Sequence, residues 1–129
     1  MTDSLILTLS YPPSVNHYWR HAHGKTYVSD QGHQYQLDTL IRVMDAGKPR
    51  MEGRLHLEVD VYPPDRRTRD LDNVGKSLLD AMKYSGVYAD DEQIDRLTFT
   101  RRSIVKPGKV VVRISAITPE LLENSLIPV

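Results

Sequence analysis

The sequence predicts an α+β fold, a mixed, mostly antiparallel sheet of about four to five strands with two helices packed on it. Short runs in which apolar and polar residues alternate, clearest in RLHLEVDVY (54–62), are typical of strands. Two longer segments, which start near residues 29 and 71, instead repeat apolar residues every three or four positions, as helices do. A chain of 129 residues without internal repeats has the length of one domain, so we expect residues 1–129 to form a single domain.

Proline and glycine residues mark the ends of the predicted strands. The first strand, SLILTLS, ends before YPP and is followed by a predicted loop over residues 12–24. KTYVS is a second short extended segment, and RLHLEVDVY ends at a Pro-Pro pair. The last two strands, IDRLTFTRRSIV and KVVVRISAI, are joined by KPGK (106–109), and we expect them to form a hairpin. For the tail from about residue 118 we expect one helical turn or partial disorder.

The spacing of apolar residues predicts two helices. The first is expected to begin at about Ser29 or Asp30 and to stop at GKP, and its apolar residues are Leu37, Leu40, Ile41 and Met44. The second is expected from about Leu71 to Lys83. Its core face should consist of Leu71, Val74, Leu78, Ala81 and Met82. The opposite face carries Asp72, Lys76, Asp80 and Lys83.

The composition excludes several classes of protein. Without cysteine, the chain has no disulfide, no thiolate metal site and no cysteine nucleophile. No apolar run approaches the length of a membrane span, and the N-terminal residues lack the basic flank and long apolar core of a signal peptide. We therefore expect a soluble, cytoplasmic protein with no membrane partner. The 17 basic and 17 acidic residues give a formal net charge of zero, so only local clusters of charge point to a nucleic-acid partner.

Two carboxylates stand one residue apart at the start of the second predicted helix. Asp70 and Asp72 form this pair in RDLDNVGK, and the loop ADDEQ adds a third acidic cluster after the helix. Like charges this close repel each other unless a cation lies between them, and carboxylate oxygens are the ligands that Mg²⁺ prefers. The alternative is structural, because Asp70 is a natural helix N-cap and ADDEQ resembles an ordinary solvated turn. The residues alone leave both interpretations open.

Two other acidic motifs fit these residues less well. An EF-hand loop that began at Asp70 would need an oxygen ligand at Val74 and a glutamate at Ala81, and the chain has neither. DLDNV also resembles the motif of haloacid-dehalogenase-like phosphatases, in which an aspartate is the nucleophile. That motif is expected at the end of an apolar strand, whereas DRRTR precedes it here. This phosphatase class therefore stays a remote enzyme alternative.

Three segments together resemble the RusA family of Holliday junction resolvases: PPSVNHYWRH, PPDRRTRDLDNVGKSLLDAM and GVYADDEQI, in this order and spacing. The resemblance covers most of the chain. It implies a RusA-like fold and a small homodimeric endonuclease of phage or prophage origin, which uses Mg²⁺ to nick four-way DNA junctions symmetrically. It also implies that Asp70, Asp72 and Asp91 bind the metal and that Lys76 is the essential lysine. Asp91 is preferred over its neighbour Asp90 by this match alone.

Basic and aromatic residues cluster around these motifs, and such residues bind DNA phosphates and bases. The predicted DNA-binding residues are Arg66, Arg67, Arg69, Asn73, Lys76, His17 and Arg20. Each has a structural alternative. The arginines can form a solvated surface, Lys76 can pair with Asp72 on the helix, and Tyr18 or Trp19 can anchor the N-terminal loop in the core.

The competing class is a branched-DNA-binding protein without nuclease activity. Such a protein would keep the arginines but has no need for clustered carboxylates, which repel phosphate. The four motif residues Asp70, Asp72, Lys76 and Asp91 therefore argue for the nuclease. For a two-fold homodimer, the interface candidates are Val110, Val112 and Ile114 of the last strand, or the apolar residues of the tail.

Overall fold

The centre of the structure is a four-stranded mixed sheet. A computed structural model describes residues 4–117. The sheet contains the four longest strands, in the order β1 (Ser4–Ser10), β6 (Lys109–Ala116), β4 (Leu55–Tyr62) and β5 (Ile94–Arg101). β6 pairs antiparallel with β1 and with β4, whereas β5 pairs parallel with β4. The predicted α+β class with a mixed, mostly antiparallel sheet is confirmed.

A small hairpin and three helices accompany this sheet. The hairpin consists of β2 (Trp19–Ala22) and β3 (Lys25–Val28), which pair antiparallel. The helices are α1 (Val15–Tyr18), α2 (Asp30–Asp45) and α3 (Asp72–Tyr84), and a 3₁₀ turn over Asp91–Gln93 precedes β5. The two long helices are those that the sequence predicts, and their ends differ from the predicted ends by no more than a residue or so.

Both long helices pack on one face of the sheet, as expected. Alternate residues of the strands point to this face, and Val110, Val112 and Ile114 of β6 have no exposed surface. The helix residues in the same buried cluster are Val43, Val74, Leu78 and Met82. Full burial of such side chains contributes roughly 1.5 to 3 kcal/mol each. Because the core takes up the β6 residues, they do not supply the dimer interface considered from the sequence.

The predicted hairpin between β5 and β6 is wrong. β4 lies between these strands and pairs with β5 on one side and β6 on the other. The connecting segment, residues 102–108, crosses the end of β4. There the Arg102 N–H donates to the Val61 carbonyl at 2.8 Å, and the Val105 N–H donates to the Pro63 carbonyl at 2.9 Å. The alternating pattern of a strand indicates its buried face but not its neighbours, so KPGK alone could not distinguish a hairpin from a crossing connection.

The helix α2 buries a different face from the one that its apolar residues mark. Leu37, Ile41 and Met44, whose spacing predicts the helix, are about half exposed. The buried residues are Gly32, Tyr35, Gln36, Thr39 and Val43. Polar side chains tolerate this burial where they find hydrogen-bond partners, and the Tyr35 hydroxyl donates to the Ser10 carbonyl at 2.7 Å. Polar side chains thus share the buried face with Val43, and apolar spacing alone does not indicate this face.

The predicted loop over residues 12–24 is also wrong in part, because it contains α1 and β2. Tyr18, at the junction of the two elements, is fully buried. Its hydroxyl donates to the Asp80 carboxylate at 2.6 Å and accepts from the Gln36 amide at 2.9 Å. Burial, followed by the hydrogen bond to Asp80, raises the pKa of Tyr18 above its ordinary value. Tyr18 therefore anchors the hairpin to both α2 and α3.

The predictions for the tail from residue 118 fall outside the described residues. Between residues 4 and 117, no helix has the combination of length and apolar character that crossing a membrane requires.

The variant Tyr18→Phe tests this anchor. It keeps the packed ring but removes the hydroxyl that donates to the Asp80 carboxylate and accepts from the Gln36 amide. We expect the free energy of unfolding to fall by about 1 to 3 kcal/mol in urea denaturation. The control is Tyr27→Phe, because Tyr27 is 51% exposed. It should stay within about 0.5 kcal/mol of wild type. Equal losses for the two variants would contradict the anchor.

Candidate metal and nucleic-acid site

Asp70 and Asp72 lie at the N-terminal end of α3, and both are exposed. The N-cap position belongs to Leu71, which has helical φ and ψ angles of −61° and −37° and makes no side-chain cap hydrogen bond. The backbone carbonyl of Asp70 accepts a hydrogen bond from the Asn73 N–H at 3.2 Å. Its carboxylate does not cap the helix, so the interpretation of Asp70 as a side-chain N-cap is wrong.

The two carboxylates have no charged partner in the part of the chain that the structure describes. None of the ion pairs among residues 4–117 includes Asp70 or Asp72. Asp72 gains some stabilisation from the helix dipole because it lies in the first turn. Among residues 4–117, no ion pair therefore competes with a cation for either carboxylate.

An ion-pair network holds the segment that leads into Asp70. The Arg69 guanidinium donates to both oxygens of Asp65, at 2.6 and 3.1 Å, and lies 5.8 Å from the centre of the Tyr11 ring. Arg101 of β5 donates to the Arg69 carbonyl at 2.7 Å. The hydrogen bond from Arg69 holds the pKa of Asp65 well below its usual range. Some of the Arg69 N–H groups are thus already bound to Asp65.

A cavity of about 330 Å³ opens beside Asp70 and brings several of the predicted site residues together. Its walls come from the segment after β1, from α1 and from the start of α3. The lining residues are Tyr11, Pro12, Ser14, His17, Arg67, Arg69, Asp70, Asn73 and Val74. The imidazole Nδ1 of His17 lies 3.1 Å from the Ser14 hydroxyl. The fold therefore places His17, far away in sequence, in one cavity with the RDLDN segment.

Lys76 contacts an aromatic ring rather than the carboxylate one turn before it. Its ammonium lies 5.0 Å from the centre of the Trp19 ring, and no Asp72–Lys76 ion pair forms. An exposed contact between a cation and tryptophan contributes about 0.5 to 1 kcal/mol, more than the roughly 0.2 to 0.5 kcal/mol of a helical acid–lysine pair. The ion-pair alternative for Lys76 is thus not what the structure shows.

Four carboxylates follow α3 in the acidic loop and at the start of β5, and three of them have a hydrogen-bond partner. Asp90 accepts from the Glu92 N–H at 3.1 Å and caps the 3₁₀ turn. Arg54 donates to Glu92 at 2.9 Å and to Asp95 at 2.9 Å. Asp91 makes none of these contacts. This distribution supports Asp91 over Asp90 as the residue free for other chemistry.

Asp91 lies near the C-terminal half of α3. Partial burial raises the pKa of its carboxyl, and the charges of Asp80 and Asp90 add to this effect. The positive charge of the nearby Lys83 opposes it. Within residues 4–117, no group of three or more acidic or histidine side chains is close enough to hold a metal ion. One chain therefore does not gather Asp70, Asp72 and Asp91 around a common point.

The other predicted basic residues are distributed around this site. Arg66 and Arg67 are exposed on the segment before Asp70, and Arg20 is exposed on the β2–β3 hairpin. Arg102 instead lies on the outer side of the sheet, where it donates to the largely buried Asp60 at 2.9 Å. Arg101 and Arg102, adjacent in sequence, thus serve different parts of the structure.

Comparison with known proteins places the chain in a family. The family model of the endodeoxyribonuclease RusA matches residues 10–115. The chain belongs to the RusA family. A crossover junction endodeoxyribonuclease of Enterobacteria phage HK97 is 38% identical over 109 residues, which cover 83% of this chain and 90% of that protein. The RusA protein of Escherichia coli K12 is 33% identical over 114 residues, which cover 84% and 92%. Family membership makes the chain an enzyme, an endodeoxyribonuclease.

Among similar solved structures is the periplasmic domain of Helicobacter pylori MotB. It has a TM-score of 0.40 and 15% sequence identity, and the match covers 100% of this chain and 88% of that chain. A likeness this low carries no argument about function.

Sequence reasoning missed the aromatic residues of this RusA-family site. Tyr11 reads only as the end of a strand, and the roles considered for Trp19 were a core anchor or a base-stacking residue. Their partners, Arg69 and Lys76, are remote in sequence, so no local spacing connects them. The sequence feature that could have pointed to Tyr11 and Trp19 is the repeated occurrence of aromatic residues in the segment YPPSVNHYW.

The variant Asp65→Asn tests the ion pair that holds the RDLDN segment. Because the pair lowers the pKa of Asp65, its contribution to stability is present above the ordinary aspartate pKa of about 3.9 and is lost as the pH falls through the lower folded value. We expect a small loss of stability at about pH 7, since the pair is partly exposed, and a difference from wild type that begins to shrink below about pH 4. Urea denaturation at a series of pH values from about 7 to about 3 measures the loss of stability and its dependence on pH.

Asp38→Asn is the control, because it breaks a comparable exposed pair with Arg42 on α2, away from the site. A stability difference between wild type and Asp65→Asn that stayed constant down to about pH 3 would contradict this account of the pair.

Proposed function

We propose that this chain is a Mg²⁺-dependent endodeoxyribonuclease that resolves Holliday junctions by paired, symmetric nicks in four-way DNA. The observation that carries the proposal is the acidic pair without an ion-pair partner among the described residues. Asp70 and Asp72 are both exposed, and Asp70 lines a cavity with basic walls. A surface that only bound DNA would gain nothing from free carboxylates, because they repel phosphate. The relatives named as crossover junction endodeoxyribonucleases support the same substrate.

The chemistry of the donor set fits Mg²⁺. This ion is usually held by one or two carboxylates and keeps several waters, and Asp70 and Asp72 offer two carboxylates that no protein cation neutralises. When bound, Mg²⁺ supplies a Lewis acid that polarises the phosphate and activates a water. We assign to Lys76 the neutralisation of charge that develops on the phosphate.

Asp91 is the third proposed ligand, and in one chain it stands apart from the other two. Partial burial raises the pKa of its carboxyl, and a bound cation would act in the opposite direction because it favours the charged form. It joins the pair only if DNA or a second chain brings it there.

The proposed DNA contacts surround the acidic pair. Arg66 and Arg67 are exposed and suit the phosphate backbone, while His17 and Asn73 line the cavity beside Asp70. Arg69 retains N–H groups beyond those that bind Asp65, so it can both hold the segment and reach a phosphate. Arg20, which is exposed on the hairpin, is a further proposed phosphate contact. Such contacts make junction binding fall steeply as the salt concentration rises.

The symmetry of the substrate supports a homodimer. A four-way junction has near two-fold symmetry, and resolution needs two cuts, so a two-fold enzyme presents one site to each strand that is cut. Sedimentation equilibrium at micromolar concentration should give the mass of a dimer. A monomeric mass together with full resolving activity would contradict this.

A mixture of inactive Asp72→Asn and Asp91→Asn chains that regained cleavage would show that the two carboxylates act from different chains.

Asparagine substitutions in the acidic pair test the nuclease. Asp70→Asn and Asp72→Asn keep the size of the side chain but remove a ligand charge, so cleavage of a labelled four-way junction in Mg²⁺ should fall by orders of magnitude. Junction binding in Ca²⁺, measured by gel shift, should survive or tighten. Stability should change by no more than about 1 kcal/mol, because Asp70 caps nothing and Asp72 loses only its interaction with the helix dipole.

The acidic loop provides the matched control. Asp91→Asn should behave like the substitutions in the pair, whereas Asp90→Asn should be mild because asparagine also caps a helical turn. Lys76→Ala should lose cleavage and weaken binding slightly. If Asp70→Asn and Asp72→Asn cut junctions at near wild-type rates, the proposed nuclease mechanism is wrong. A wild-type protein that binds junctions but cuts none in Mg²⁺ would instead favour the non-catalytic branched-DNA-binding protein.

A further inference from the structure

Trp19 and Lys76 touch each other where a different contact is expected. Lys76 follows Asp72 by four residues, the spacing and order at which an acid and a lysine pair most readily on a helix. The ammonium instead lies over the Trp19 ring, at 5.0 Å from its centre. Both Asp72 and Lys76 stay exposed. The Trp19 ring thus takes the place of Asp72 as the neighbour of the Lys76 ammonium.

The position of the Trp19 ring is fixed by its neighbours. The Tyr18 and Trp19 rings are 4.2 Å apart between centres and tilted by 55°. Trp19 also packs, together with Val28, against the buried cluster that contains Tyr18. The Tyr18 hydroxyl is bound to Asp80, one turn after Lys76 on the same side of α3. Tyr18, the last residue of α1, and Trp19, the first residue of β2, therefore contact two consecutive turns of α3. These contacts hold the ring beside Lys76.

We propose that Trp19 is a positioning residue that holds the Lys76 ammonium away from Asp72. Asp72 then stays a free carboxylate for a divalent cation, and Lys76 stays a free cation for a DNA phosphate. Without the ring, the Lys76 ammonium forms an ion pair with the Asp72 carboxylate, and a metal ion has to displace the ammonium to bind there. This inference takes the roles of Asp72 and Lys76 from the proposed function. The contact between Trp19 and Lys76 is independent of that function.

The Lys76 ammonium keeps room to move toward a substrate. It borders a cavity of about 190 Å³ on the hairpin side of α3. The lining residues are Val15, Trp19, His21, Thr26 and Lys76. A cation held on a ring face is only weakly bound, so a phosphate that enters this space can take it over.

The fluorescence of Trp19 tests the contact directly, because it is the only tryptophan of the chain. Lys76→Met removes the charge over the ring and should change the emission spectrum of the folded protein. Lys83→Met, an exposed lysine later on the same helix, should leave the spectrum unchanged. Identical spectra for wild type and Lys76→Met would overturn the proposal.

Metal binding tests the consequence for Asp72, with Mn²⁺ as the probe and its electron paramagnetic resonance signal as the readout, so that no activity is needed. Trp19→Leu should weaken Mn²⁺ binding several-fold, whereas Trp19→Phe, which keeps an aromatic face, should stay within about twofold of wild type. Val28→Ala damages the same packing without touching Lys76 and should also bind as wild type does. An equal loss in Val28→Ala and Trp19→Leu would reduce Trp19 to a structural role and overturn the proposal.

A double variant separates this inference from the proposed function. If Trp19 acts only through Lys76, Trp19→Leu should have no further effect on Mn²⁺ binding in a Lys76→Met background. A further several-fold loss there would overturn the inference. Wild-type protein that does not bind Mn²⁺ at all, or Lys76→Met protein that still cuts junctions at full rate, would instead count against the proposed function.

Discussion

The packing of α3 against the sheet is the interaction on which the site depends. Gly75 faces Phe99 of β5 so closely that a Cβ atom at position 75 would lie 3.1 Å from the ring. Val74, Leu78 and Met82 fill the space on the same side of the helix. Once this face is buried, the rotation of the helix about its axis is fixed. The polar residues at every fourth position must then share the free side, where the hairpin of β2 and β3 meets them.

The chain has no net charge, but its acidic residues fall into two groups. Most of those near the site have a structural partner: Asp65 binds Arg69, Glu92 and Asp95 bind Arg54, and Asp90 caps a turn. Asp70 and Asp72 have none among the described residues. An adjacent pair that is left exposed without an ion-pair partner is available to bind a cation. That distribution, more than the number of acids, distinguishes the site from a solvated surface.

Much of this architecture could be predicted from the sequence, and the errors have a common physical origin. The α3 face was predicted correctly because Val74, Leu78 and Met82 repeat with the period of a helix. The neighbour of β5, the buried face of α2 and the partner of Lys76 were missed. Each depends on contacts between residues far apart in sequence, which spacing does not encode. The acidic pair was found because both members lie in one turn, whereas Asp91 matches only by family resemblance, and one chain does not bring it to the pair.

The most direct measurement of the central claim is the location of the bound cation in the protein itself. Fe²⁺ in place of Mg²⁺, with ascorbate and peroxide, generates radicals that cut a polypeptide close to the metal, and mass spectrometry identifies the cut. The account predicts a cut near residues 70–73 that excess Mg²⁺ suppresses and that disappears when Asp70 and Asp72 are both replaced by asparagine. A Mg²⁺-sensitive cut elsewhere, or one at residues 70–73 that persists in the double variant, would contradict it.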